Sequence, residues 1–188
     1  MARRHRVWFP GAMYHITARG NRRTAIFLND LDYIEYFQIL SETRVKYPFY
    51  LHSYCLMTNH IHLQIETTEY PISDIMKDLD STYARYFNKT YQTSGHVFQG
   101  RFISKVIEDR QYFLEVSRYI HRNPLEAKIV DKPEDYPWSS YASYINEEEN
   151  TLKTKDRTLN LLPGDSIHNY KSFVEEGIKR SAEIALPL

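Results

Sequence analysis

The sequence predicts an α+β fold, and two observations carry that prediction. Apolar and polar residues alternate in several short segments, as expected for half-buried strands, and they recur at helical spacing in longer segments between them. These segments follow one another as strand, helix, strand, strand, helix and strand. That order is typical of a ferredoxin-like fold, a four-stranded antiparallel sheet with helices on one face. A third helix and a C-terminal helical extension are predicted to follow.

The first half of the chain contains one helix and three of the predicted strands. The predicted elements, in order, are a strand over residues 13–18, a helix over 31–45, and strands over 50–56 and 60–67. Asp30 is suited to cap the helix, and Pro48 ends it. Thr58 and Asn59 form a tight turn between the last two strands, which indicates a hairpin.

The second half contains two longer helices and the last strand. Pro71 and Ser73 open a helix that runs to about Lys89, and a loop over residues 95–100 leads into a strand over 102–107. The third helix begins at Asp109 or Arg110. We expect it to end at His121 or Asn123, because Pro124 follows closely.

Composition indicates one globular domain with a short appendage. The chain has 188 residues, of which 42% are hydrophobic and 26% charged. We expect a principal domain over residues 1–145, then a polar linker and short helical tail over 146–188. No apolar run approaches a membrane span, no signal-type segment follows the arginine-rich start, and the single cysteine, Cys55, cannot form an internal disulfide. We therefore expect a cytoplasmic protein that does not bind membranes.

The net charge of zero conceals an uneven distribution. Residues 1–130 carry 17 lysines and arginines against 13 acidic residues, whereas residues 131–188 carry 7 against 11. A basic front with an acidic tail suits a polyanionic partner, although a solvated charged arm would have the same composition.

Two histidines stand out in the third predicted strand. Because strand residues two apart share a face, His60 and His62 lie side by side, opposite Ile61 and Leu63. Two such imidazoles can share one divalent cation. The alternative is a pair of hydrogen-bonded histidines on a half-exposed sheet.

The third helix offers the groups that a histidine pair lacks. Tyr119 and Asn123 are four residues apart, so they share one helical face. An amide oxygen is a hard ligand that suits Mg²⁺ or Mn²⁺. A phenol beside a cation can act as a covalent nucleophile on phosphorus. The alternatives are a buried helical tyrosine and an asparagine that merely ends a helix.

Several motifs together make the chain resemble the HUH-type single-tyrosine transposases, in particular the REP-associated tyrosine transposases. The resemblance covers residues 5–145. The matching motifs are Pro10-Gly11, Tyr14-His15-Ile16-Thr17-Ala18-Arg19-Gly20-Asn21-Arg22, Tyr54-Cys55-Leu56-Met57-Thr58-Asn59-His60-Ile61-His62, Gly95-His96-Val97-Phe98-Gln99-Gly100-Arg101-Phe102, Tyr119-Ile120-His121-Arg122-Asn123-Pro124 and Trp138-Ser139-Ser140-Tyr141. Each motif alone is weak, but their shared order is specific.

The resemblance implies a site and a reaction. His60 and His62 would bind a divalent metal, Mg²⁺ or Mn²⁺, with Asn123 as the third ligand and Tyr119 as the nucleophile. The implied substrate is single-stranded DNA, often hairpin-forming, which would be cleaved and transferred through a phosphotyrosine intermediate by a monomer or a homodimer. Two other functions share these residues: a catalytically silent module that binds nucleic-acid hairpins, and a metal-dependent nuclease that uses water.

Two further groups of residues complete the expected site. Arg19, Arg22, Arg23 and Arg101 are expected to contact DNA phosphates. Tyr83 and Tyr86 lie on the second helix and compete with Tyr119 for the nucleophile's role. We prefer Tyr119 because the Asn-Pro motif follows it, and we expect the other two to be core or base-stacking residues.

Overall fold

A computed structural model of the chain describes residues 7–146, 154–164 and 166–176. Its elements are β1 (Met13–Arg19), α1 (Asp30–Lys46), β2 (Phe49–Met57), β3 (His60–Thr67), α2 (Ile72–Tyr91), β4 (Ile103–Val106), α3 (Arg110–Glu126), α4 (Ala142–Ile145), α5 (Lys155–Leu159) and α6 (Ser166–Glu175). The four strands form one antiparallel sheet in the order β2-β3-β1-β4. This architecture confirms the predicted ferredoxin-like α+β fold.

The two faces of the sheet carry different side chains and different helices. Ile61, Leu63 and Ile65 are fully buried in the main core, where α1 and α2 cover the sheet. Alternation turns His62 and Gln64 to the other face, which α3 covers. The Gln64 side chain donates a hydrogen bond to the carbonyl of Phe113 in α3, at 3.0 Å. The histidine pair and the third helix therefore meet on one face.

The first helix begins one residue earlier than the sequence predicts. Asn29, not Asp30, is its N-cap: the Asn29 Oδ1 accepts a hydrogen bond from the Leu31 amide at 2.9 Å. The Asp32 carboxylate accepts in return from the Asn29 amide at 3.3 Å. This reciprocal capping box satisfies two helix-end donors, which Asp30 alone would not do.

The third helix continues past the point where the sequence predicts its end. It passes through Pro124 and finishes at Glu126, so the expected end at His121 or Asn123 is wrong. A proline removes one amide donor, and here only two helical residues follow it. The Ala127 amide donates to the Asn123 carbonyl at 2.9 Å, and the Ile129 amide donates to the Pro124 carbonyl at 2.9 Å. These bonds close the helix end.

The segment after α3 covers the edge of the sheet. The Leu56 amide of β2 donates to the carbonyl of Trp138 at 2.9 Å, and the Ser140 amide donates to the carbonyl of Tyr54 at 3.0 Å. This short pairing protects an edge strand that would otherwise expose unpaired backbone groups. The Trp138 ring also stacks on Tyr33 of α1, with centroids 4.3 Å apart.

The C-terminal extension is helical and lies against α3. The Arg122 side chain donates to the carbonyl of Val174 in α6, at 2.7 Å. Within the predicted polar linker the structure has the short helix α5, and the predicted tail helix is observed as far as Glu175. Residues 147–153 and 177–188 lie outside the described part, and the domain boundary at residue 145 stays a prediction. None of the described helices is long and apolar enough to cross a membrane.

Candidate active site

The two histidines of β3 and the tyrosine of α3 are neighbours. His62 is fully buried and His60 partly buried, and their ring centroids are 5.0 Å apart. The ring of Tyr119 meets His62 edge to face, with centroids 5.5 Å apart. Strand alternation and helical periodicity thus bring together three residues that the sequence separates by up to 59 positions.

Hydrogen bonds leave the same nitrogen open on both imidazoles. The Nδ1 of His60 donates to the Oδ1 of Asn59 at 2.7 Å, since an amide oxygen only accepts. The Nδ1 of His62 lies 3.1 Å from the hydroxyl of Thr17. Among the described residues, the Nε2 atoms of both histidines are buried and have no hydrogen-bond partner. Two adjacent, unpartnered imidazole nitrogens are suitable ligands for one metal ion.

Both imidazoles are held in the neutral form. Burial lowers the pKa of His60 to about 4; the Asn123 amide opposes this shift and the charge of Arg19 adds to it. Burial also lowers the pKa of His62 well below its ordinary value, and the neighbouring His15 and His60 act in the same direction. At neutral pH both side chains therefore keep the lone pair that a metal needs.

Asn123 lies beside both His60 and Tyr119. Its Nδ2 donates to the carbonyl of Tyr119 at 3.2 Å, which turns this side chain back along the helix. Its amide also influences the pKa of both neighbours. Burial raises the pKa of Tyr119, while the hydrogen bond with Asn123 lowers it. Tyr119 thus sits in a site that does not ionise it unaided.

The donor set fits a divalent cation with water completing its shell. No group of three or more His, Cys, Asp or Glu side chains within the described ranges could hold a metal ion. The Asn123 amide lies next to the pair and is a candidate ligand of another type. Imidazole nitrogens with an amide oxygen and water suit Mn²⁺ and, less strongly, Mg²⁺.

His15 is a site residue that the sequence reasoning missed. It is fully buried on β1, and its Nε2 lies 3.1 Å from the Nδ1 of His62. Its ring also contacts Tyr119, with centroids 5.6 Å apart. His15 lies in a diagonal position to His62 across the β1–β3 ladder. The contact between His15 and His62 follows only from the strand register. The alternation of β1 by itself shows that His15 and Thr17 share a face, but not which residues of β3 they meet.

Three of the four predicted arginines gather at the end of the sheet that carries His60. Arg19 pairs with His60 across the ladder, and its Nε is buried without a hydrogen-bond partner in the described structure. Arg22 and Arg23 are exposed on the following turn, where both have positive φ. The side-chain amide of Asn59 donates a hydrogen bond to the Arg23 carbonyl at 3.1 Å and holds this turn. Arg101 lines a cavity beside α2, on a loop whose Gln99 amide donates to the carbonyl of Arg19 at 2.7 Å.

Tyr83 and Tyr86 do not share the histidine face. The Tyr83 hydroxyl is buried in the main core and donates to the carbonyl of Ile26 at 2.5 Å. The Tyr86 hydroxyl donates to a carboxylate oxygen of Asp32 at 3.0 Å. Burial raises the pKa of Tyr83 well above the ordinary range, and burial with Asp32 raises that of Tyr86 to about 12. Both residues thus have structural partners on the α1–α2 side.

Comparison with known proteins identifies the family to which the chain belongs. The model of the family described as transposase, IS200-like, matches residues 9–123. A Haemophilus influenzae protein named as a candidate REP-associated tyrosine transposase is 28% identical over 162 residues, which cover 79% of this chain and 90% of that protein. A REP-associated tyrosine transposase solved with a REP hairpin has the same fold, with a TM-score of 0.66 and 17% identity over 82% of this chain and 98% of its own. The chain belongs to the family of IS200-like transposases.

Proposed function

We propose that this protein cleaves and rejoins single-stranded DNA through a covalent bond to Tyr119, with a divalent metal at His60, His62 and Asn123. One observation carries the proposal: two neighbouring, neutral imidazoles have buried Nε2 atoms without a hydrogen-bond partner among the described residues, and the ring of Tyr119 lies against His62. Hydrogen-bonded structural histidines would not have that pattern. The arginines at the same end of the sheet supply positive charge for the DNA backbone.

The proposed reaction transfers a phosphoryl group from one oxygen to another. The Tyr119 oxygen attacks the phosphorus, its phenolic proton leaves, and the bond to one deoxyribose oxygen breaks. This forms a phosphotyrosine and a free hydroxyl end, and attack by a hydroxyl end reverses the step. A bound divalent cation would polarise the phosphate and favour the phenolate. Because burial raises the pKa of Tyr119, that help is needed.

The residues around Tyr119 hold it in position. Edge-to-face contacts with His15 and His62, which lie next to each other, orient the ring. We expect Arg19, which pairs with His60 across the β1–β3 ladder, to hold a phosphate next to His60. We propose hairpin-forming DNA as the substrate, since the similar REP-associated transposase was solved with a REP hairpin.

Trapping the covalent adduct tests this proposal. End-labelled hairpin DNA with single-stranded flanks is incubated with Mn²⁺ and the protein, and the products are separated on a denaturing gel. The wild type should give a slowly migrating protein–DNA band, and Tyr119→Phe should give neither band nor cleavage while binding DNA normally. Tyr112→Phe is the matched control, because Tyr112 lies on the same helix and its buried hydroxyl has no partner in the described structure.

Each other outcome identifies a different function. A band that persists in Tyr119→Phe would mean that another residue is the nucleophile. Cleavage by the wild type without any band would favour a nuclease that uses water. Binding of the hairpin with no cleavage at any Mn²⁺ concentration would favour a catalytically silent binding module.

A further inference from the structure

Asn59 contacts both the candidate metal site and the turn that carries two of the arginines. It is the second residue of the connection between β2 and β3 and directly precedes His60. Its Oδ1 lies 2.7 Å from the Nδ1 of His60, and its Nδ2 lies 3.1 Å from the carbonyl oxygen of Arg23. One side chain therefore joins the histidine pair to the short turn Asn21–Arg23, the arginine turn.

The contact with Arg23 determines which nitrogen of His60 is open to a metal. A backbone carbonyl only accepts hydrogen bonds, so the group that faces the Arg23 carbonyl must be the NH₂ of Asn59. The Asn59 oxygen then faces His60, and because it also only accepts, His60 must carry its proton on Nδ1. The lone pair of the ring is left on Nε2, the atom that the proposed metal site uses.

The arginine turn has a backbone conformation that needs support from its surroundings. Arg22 and Arg23 have φ values of 53° and 64°, in the left-handed region that residues other than glycine disfavour. Asn59 supports this turn at two points. Its backbone carbonyl accepts from the Gly20 amide at 2.8 Å, and its side chain donates to the Arg23 carbonyl. Without the side chain, the end of the turn that carries the two arginines would lose its bond to the hairpin.

We propose that Asn59 is a positioning residue that prepares two parts of the site with one amide group. Its oxygen keeps the proton of His60 on Nδ1, so that Nε2 can bind the divalent metal, as partners of metal-binding histidines commonly do. Its NH₂ group holds the arginine turn in the conformation that presents Arg22 and Arg23 to the DNA backbone. This inference rests on the proposed function, since it assumes both the metal and the DNA.

The protonated nitrogen of His60 can be observed in the metal-free wild type, so this test does not depend on the folding of a variant. Long-range proton–nitrogen NMR spectra of the isotope-labelled protein distinguish the two neutral tautomers of an imidazole, and the His60 signal is assigned by its absence from His60→Gln. We expect the Nδ1–H tautomer. In Asn59→Ala the signal should shift towards Nε2–H, because the oxygen that held the proton is gone. A wild-type His60 protonated on Nε2 would overturn the role of the Asn59 oxygen.

Titration calorimetry with Mn²⁺ alone measures what this tautomer contributes to metal binding. Asn59→Ala should bind Mn²⁺ about 10- to 100-fold more weakly than the wild type, the usual effect of losing such a partner. Asn59→Asp should restore the wild-type affinity or exceed it, because a carboxylate oxygen accepts the same proton. A loss that came only from a disturbed fold would not be rescued by aspartate. Equal Mn²⁺ affinity in the wild type and Asn59→Ala, or no rescue by aspartate, would also overturn the role of the oxygen.

The salt dependence of hairpin binding without divalent metal tests the role of the NH₂ group. Asn59→Ala changes no charge, yet it should make the slope of log K against log salt shallower by about 0.7 to 1.4, the value for one or two lost phosphate contacts. Asn169→Ala is the matched control, because it removes an amide that donates to the carbonyl of Pro163 at 2.5 Å in the C-terminal extension, and it should keep the wild-type slope. Equal slopes for the wild type and Asn59→Ala would overturn this role.

The outcomes separate this inference from the proposed function. If the wild type forms the Tyr119 adduct while Asn59→Ala matches it in Mn²⁺ affinity and salt slope, the inference fails and the proposed function stands. If the wild type binds neither Mn²⁺ nor hairpin DNA, the proposed function fails, and the role of Asn59 fails with it.

Discussion

Each of the proposed metal ligands is expected to make a different contribution to binding. His60→Ala removes one of two unpartnered imidazole nitrogens, so Mn²⁺ affinity and DNA cleavage should both fall below detection. Asn123→Ala should weaken Mn²⁺ binding less, since water can replace a neutral oxygen ligand. Titration calorimetry with Mn²⁺ alone measures both effects. Equal Mn²⁺ affinity in the wild type and His60→Ala would refute the assignment.

His15 is expected to orient His62 rather than bind the metal. In the proposed arrangement the Nδ1 of His62 carries its proton and shares it between His15 and Thr17, 3.1 Å away in each case. Loss of such a partner commonly reduces metal affinity by about 10- to 100-fold. His15→Ala should therefore weaken Mn²⁺ binding to this extent, as measured by calorimetry. Thr17→Ser keeps the hydroxyl and is the control, and an unchanged affinity in His15→Ala would show that Thr17 alone suffices.

The same residues show which contacts of the site can be predicted from the sequence. His60, His62, Tyr119 and Asn123 could be assigned to shared faces because the periods of strands and helices are fixed. That His15 contacts His62 follows from strand register, which a single sequence specifies only through the whole fold. The roles of all five residues in metal binding and catalysis stay predictions.

The types of the secondary-structure elements were predicted well, and their first and last residues less well. All four strands and the first three helices were predicted. α2 and α3 have a clear apolar period, whereas α1 has little and was recognised with the help of its capping residue and Pro48. The start of α1 was misassigned because Asn29 and Asp30 are both good capping residues, and only the reciprocal bond with Asp32 distinguishes them. The end of α3 was misassigned because a proline near a helix end removes few bonds, so tertiary packing decides.

Helix α6 is expected to stabilise the helix that carries Tyr119. The buried Tyr170 hydroxyl lies 2.7 Å from the Nδ1 of His121 and 2.5 Å from the hydroxyl of Ser117, both in α3. Tyr170→Phe keeps the ring but removes these bonds, which should cost about 1–3 kcal/mol of unfolding free energy. In a chain of this size each kcal/mol lowers Tm by about 2–4 °C. Thermal denaturation followed by circular dichroism measures the change.

The matched control for this prediction is again Tyr112→Phe. The Tyr112 hydroxyl is buried without a partner in the described structure, so its removal should leave Tm unchanged or raise it slightly. If both variants had the Tm of the wild type, the hydrogen bonds between α6 and α3 would contribute nothing to stability.

The net charge of zero does not indicate what kind of partner the protein binds, because the charges are unevenly distributed over the molecule. The arginines of β1 and the following turn lie together at the His60 end of the sheet, whereas Lys46, at the opposite end of the β2–β3 pair, is matched by Asp78 at 2.7 Å. The sequence predicted the basic front from its composition. It could not show that the loop carrying Arg101 is hydrogen-bonded to β1 at Arg19, because that contact depends on how residues 95–102 fold.

This charge distribution predicts a salt dependence that one substitution should change. Release of counterions from single-stranded DNA gives a slope of about −0.7 in log K against log salt for each phosphate contact, so four arginines should give about −2 to −3. Arg22→Gln should weaken binding and make the slope shallower by about 0.7. Lys46→Gln removes the same charge from an ion pair far from His60 and should leave the slope unchanged. Fluorescence anisotropy with labelled hairpin DNA, without divalent metal and between about 50 and 200 mM salt, measures both. A flat binding constant in the wild type, or equal slopes for the wild type and Arg22→Gln, would mean that the DNA backbone does not follow this arginine turn.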